Sequence, residues 1–167
     1  FTMHTGVATG GNGGAFSVTV GSGTVGVGGV MTMWAGDTED TETGGIVTFT
    51  TGLGTATSSG GFFMGTQNAG TKGVSGTMRF STGTTSSGTS GMFLIDTGAA
   101  TGGRGGDMSF TIGSGNSGQA GRIVVNSGQS TVHTGGAVSL ITGSGSSTTS
   151  GGITVLTQDA GDTGVSG

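Results

Sequence analysis

A short run of alternating apolar residues follows a glycine at Ala15, Val30, Ile46, Phe62, Thr77, Met92, Asp107, Arg122, Ala137 and Ile153, in steps of 15 or 16 residues. Six such units make one longer repeat. GGNGGAFSVTVGSG (10–23) returns as GGRGGDMSFTIGSG (102–115) with 9 of 14 identities, and residues 44–76 return as 135–167 with 18 of 33. Internal repetition at a fixed period restricts the architecture more than any local propensity, because each unit is too small to bury its own apolar face and must find its neighbours.

Within a unit the second and fourth places after the glycine carry the large apolar groups. The pairs are Phe16/Val18, Met31/Met33, Val47/Phe49, Met78/Phe80, Phe93/Ile95, Met108/Phe110, Ile123/Val125 and Val138/Leu140. The unit starting at Phe62 offers only Phe63 in this reading, and the unit starting at Ile153 only Leu156. A period of two puts these groups on one face of an extended chain. With 43 Gly in 167 residues and no 3.6 period, helices are excluded. Between the runs, Gly recurs near one place in most units (Gly21, Gly36, Gly52, Gly83, Gly98, Gly113, Gly128, Gly143), as a turn with φ > 0 or a close backbone approach requires.

Collagen is excluded by the absence of Pro and of a strict Gly triplet. Disorder is the competing reading: Leu, Ile, Val and Phe together number 32 of 167, near the border for disordered chains. The regular alternation and a formal charge of only -4 argue for order instead. The expected fold is therefore all-β: a repetitive β-solenoid with one strand per unit, running as a single continuous array over 1–167. Its long-repeat copies cover about 10–101 and 102–167. Neither end shows an atypical capping unit, so the array is expected to be a window of a longer one, or to join copies into a filament.

The opposite face is mixed. Trp34, Phe62, Met64, Met92, Leu94, Val124, Ile153 and Val155 are apolar there, which predicts lateral packing against another layer or another copy. Ser17/Thr19, Thr48/Thr50 and Ser109/Thr111 fit the Thr-x-Thr ranks of an ice-binding face, but Trp34, Arg79, Asp96, Asn126 and Ile141 interrupt the rank.

Motifs that carry chemistry are few. Two G-x-G-x-x-G matches, Gly21–Gly26 and Gly113–Gly118, precede no helix and so cannot form a dinucleotide site. Asp107 in GGRGGDMSF sits where a calcium-binding nonapeptide repeat places its carboxylate, and Asp37, Glu39, Asp40 and Glu42 form the one acidic cluster. Both are weak metal candidates, because the counterpart of Asp107 is Ala15 and that of the cluster is the neutral QSTVHT (129–134). His4 and His133 have no His or Cys at ligand spacing, and no Ser has an activating base in sequence. No cofactor and no enzymatic activity are expected. Four basic residues cannot neutralise a nucleic acid backbone, and no apolar run is long enough to span a membrane as a helix. No Asn lies in a glycosylation sequon, which leaves O-linked glycans on Ser and Thr as the expected modification.

The runs STGTTSSGTSG (81–91), DTGAATGGRGGDMSFTIGSGNSG (96–118) and QNAGTKGVSG (67–76) resemble the long Gly/Ser/Thr-rich repeat proteins predicted in diatoms and other stramenopile algae. The resemblance implies a secreted or cell-surface protein without assigned chemistry. The expected function is a structural subunit of an extracellular fibre or surface filament that pairs with itself end to end and laterally. The alternative is an adhesin stalk or an ice-binding β-solenoid.

Overall fold

A computed structural model describes all 167 residues, and it contains no helix and no strand. Cα packing divides the chain into two units, Phe1–Ser81 and Thr82–Gly167. In the first, bends fall at 9–11, 24–26, 39–42, 55–57 and 71–73; in the second, at 86–88, 101–103, 116–118, 131–133 and 146–148, with a last turn at 162–164. The sequence period is thus visible as a period of bends.

Each bend is closed at a neck. The closing glycine lies against the side chain nine or ten residues earlier: Thr5/Gly14, Val20/Gly29, Ala35/Gly45, Thr51/Gly60, Thr66/Gly76, Thr82/Gly91, Thr97/Gly106, Ile112/Gly121, Ser127/Gly136, Thr142/Gly151 and Thr157/Gly167. At six necks the glycine N–H also donates to the carbonyl of the residue after the neck side chain, as in Gly45 N to Gly36 O at 2.8 Å and Gly136 N to Gly128 O at 2.9 Å. The acceptors are all glycines, Gly6, Gly21, Gly36, Gly52, Gly128 and Gly143. At the recurrent loop glycines themselves a Cβ would meet nothing within 4 Å, so the close approach expected of them is made by the closing glycines instead. The positive φ values fall elsewhere, at Gly26, Gly73, Gly88, Gly102 and Gly118 in the bends themselves.

From one closing glycine to the next neck side chain the count is always six: 14 to 20, 29 to 35, 45 to 51, 60 to 66, and so on to 151 to 157. We call these stretches arms. The three longer units place their extra residue in the bends 35–45, 66–76 and 157–167, and none in an arm. In two arms exposure alternates as an extended backbone requires, whereas at Ile123, Val124 and Val125 it does not. Met92, Phe93, Leu94 and Ile95 are 83%, 58%, 71% and 55% exposed, and Phe62, Phe63 and Met64 are 59%, 94% and 58% exposed.

The expected β-solenoid is corrected by this structure, and the stacked-strand filament falls with it. Each neck contributes at most one backbone hydrogen bond, and no ladder continues from it along the arms. A hairpin with a single closing bond and a glycine-rich bend leaves its arms free to splay, because fixing glycine backbones costs more entropy than one exposed bond returns. No residue is buried, and there is no core. The accessible surface is 16747 Å² for 15.7 kDa. A folded monomer of this mass exposes roughly 7,300 Å² and an unfolded chain roughly 22,800 Å². The chain is coil-like in its tertiary structure, with local order confined to the necks. Its aliphatic and Phe content, at the border of disorder, describes the outcome better than its periodicity does.

Candidate functional site: the exposed apolar face of the arms

Counting from the closing glycine, an arm reads glycine at zero, large apolar residues at two and four, and the neck side chain at six. These four places share one face. Phe16, Val18, Met31, Met33, Val47, Phe49, Met78, Phe80, Phe93, Ile95, Met108, Phe110, Ile123, Val125, Val138 and Leu140 all occupy places two and four. None of them is buried.

Two arms have a different register from the one the sequence suggested. Gly60 and Gly151, each the first of a Gly-Gly pair, close their bends against Thr51 and Thr142. Elsewhere the second glycine of such a pair does so, as Gly14, Gly29, Gly45, Gly106 and Gly136 show. Counted from Gly60, places two and four are Phe62 and Met64, and Phe63 lies between them. Counted from Gly151, they are Ile153 and Val155, and Leu156 follows at five. The Phe49 and Phe62 rings, 6.2 Å apart and tilted by 33°, join the apolar faces of consecutive arms. The signal that would have fixed the register is the small or β-branched residue six places on, Thr66 and Thr157, rather than the start of the apolar run.

The remaining apolar residues assigned to lateral packing, Trp34, Met92, Leu94 and Val124, lie at odd places and are exposed. Two open apolar grooves run between consecutive arms. One, of about 500 Å³, is lined by Phe63, Met64, Thr66, Met78, Arg79 and Phe80. The other, of about 720 Å³, is lined by Phe110, Ile112, Ile123, Val124 and Val125 together with Ser109 and Thr111.

The candidate chemical groups remain dispersed. Asp107 accepts from the Arg104 guanidinium at 3.2 and 3.3 Å, a pair in which both side chains are more than four-fifths exposed. In the acidic bend the Asp40 carboxylate accepts from the Thr41 N–H at 2.8 Å, and the Asp40 N–H donates to Thr38 Oγ1 at 3.4 Å. These are local turn bonds, and no three His, Asp or Glu side chains gather as a metal site would need. The His133 N–H donates to Ser130 Oγ at 2.9 Å within its bend. Ser109 and Thr111 pair their hydroxyls at 3.4 Å, which joins two places of one arm without extending a rank across arms. No helix is long and apolar enough to cross a membrane.

No family model, curated protein or solved structure matches the chain.

Proposed function

We propose that this chain is a structural repeat segment, without catalytic activity, that acts at the cell surface or outside the cell by associating with further copies of itself. One observation carries the reading: a series of arms, each six residues from glycine to neck, presents large apolar side chains at fixed places, and none of them is buried. Soluble monomers rarely leave contiguous apolar surface in water, and when they do it marks an interaction site. The excess over a folded monomer, roughly 9,500 Å² by the same surface scaling, is several times the roughly 1,600 Å² a stable interface buries. Association in this reading supplies the core that the single chain lacks.

Repetition favours a second copy as the partner over an unrelated protein, because every arm offers the same spacing to every other. The resemblance to secreted repeat proteins of algae and the abundance of Ser and Thr, which can take O-linked glycans, support an extracellular setting. Sedimentation velocity over a hundredfold concentration range tests the proposal. Mass that grows with concentration is expected; a single monomeric species throughout would refute it.

A further inference from the structure

We infer that the groove between the arms Gly60–Thr66 and Gly76–Thr82 receives, from a second copy, the arm Gly29–Ala35 together with the acidic bend that follows it. The inference rests on the self-association proposed above and names its surface. Besides Thr66 and Thr77 the groove has one polar side chain, and its one charge, at Arg79, which stands at the third place of its arm, where the other arms carry Ser, Thr, Phe, Leu or Val. Arg79 forms no ion pair within the chain; the single ion pair present joins Arg104 to Asp107. The complementary charge is equally unmet. Asp37, Glu39, Asp40 and Glu42 are half of the eight acidic residues, are all exposed, and pair with no cation of their own chain.

The arm preceding that bend carries Met31, Met33 and Trp34, three large flexible or aromatic groups of the kind that fill adaptable apolar grooves, and all three are exposed. Its length from glycine to neck equals that of the two arms flanking the groove, so it can lie along them without overhang. Charge complementarity then selects this arm over its counterpart Gly121–Ser127, whose following bend is neutral and which carries Arg122. An acidic bend placed near a lone arginine steers encounter and sets register, while the apolar groups supply the contact.

The test is a charge exchange read by sedimentation equilibrium at low salt. Arg79→Glu is expected to weaken association by about tenfold or more. A chain with Asp37→Lys, Glu39→Lys, Asp40→Lys and Glu42→Lys is expected to weaken similarly alone, and to regain association when mixed with the Arg79→Glu chain. All five positions are exposed, so neither variant removes a buried contact. If the unaltered chain associates but Arg79→Glu leaves it unchanged, or if the mixture is no tighter than either variant alone, the groove assignment is overturned and the self-association reading stands. If the unaltered chain is monomeric at every concentration, both fall.

Discussion

Between a closing glycine and the next neck side chain the protein always counts six residues, whereas between that side chain and the following glycine it counts nine or ten. The arms keep their length through two long repeats that have drifted to 18 identities in 33, and the bends absorb every length change. An extra residue in an arm would move each later side chain to the opposite face, since the side-chain period is two. An extra residue in an exposed glycine-rich bend costs little, because loop entropy grows slowly with length. The difference teaches where the selective information sits. It lies in the spacing of apolar groups along each arm, although the chain buries none of them.

The contrast can be broken most severely by removing the apolar face. Replacing Phe62, Met64, Met78 and Phe80 together by Ser is expected to abolish association in the micromolar range. Replacing Val74 alone, an exposed apolar residue of the bend 66–76 that lines neither groove, is expected to change the association constant less than threefold. Equal losses from the two would show that the arms do not carry the association. A sharper test inserts a single Ser. Placed between Phe93 and Leu94 it should weaken association at least tenfold, whereas between Ser86 and Ser87, inside a bend, it should have no measurable effect by sedimentation.

Smaller effects are expected at the necks. A Cβ on Gly45 would stand 3.0 Å from Gly36 N and 3.1 Å from Ala35 Cβ, whereas on Gly106 its nearest contact is Thr97 Cβ at 3.8 Å. Gly45→Ala should therefore open its neck and Gly106→Ala should not. Amide hydrogen exchange at position 45, compared between the unaltered chain and the Gly45→Ala variant, would show the lost protection. The smallest effect belongs to Asp107→Asn. Its ion pair with Arg104 is exposed on both sides and is worth under about 1 kcal/mol, so association should be unchanged.

Much of the local order was legible in the sequence. The period, the alternation and the places of Phe16/Val18 through Val138/Leu140 follow from glycine spacing and side-chain size alone, because an extended backbone has only two faces. The register at Phe62 and Ile153 was not, since a Gly-Gly pair gives two possible starts and only the distant Thr66 and Thr157 choose between them. The absence of a sheet was also hidden. Periodicity states which side chains share a face but not whether the arms come close enough to form a ladder, and here the single N–H to carbonyl bond found at six of the necks does not extend into one. The grooves, including the one that exposes Arg79, depend on how consecutive arms splay and leave no mark in composition.

Small-angle X-ray scattering over a dilution series measures most directly whether the arms find their cover inside the chain or only beyond it. At the lowest concentration an open chain should have a radius of gyration well above the roughly 15 Å of a compact domain of 167 residues, and the scattering mass should rise with concentration. A concentration-independent monomer with a radius near roughly 15 Å would mean that the chain buries its own apolar groups, and would contradict the account.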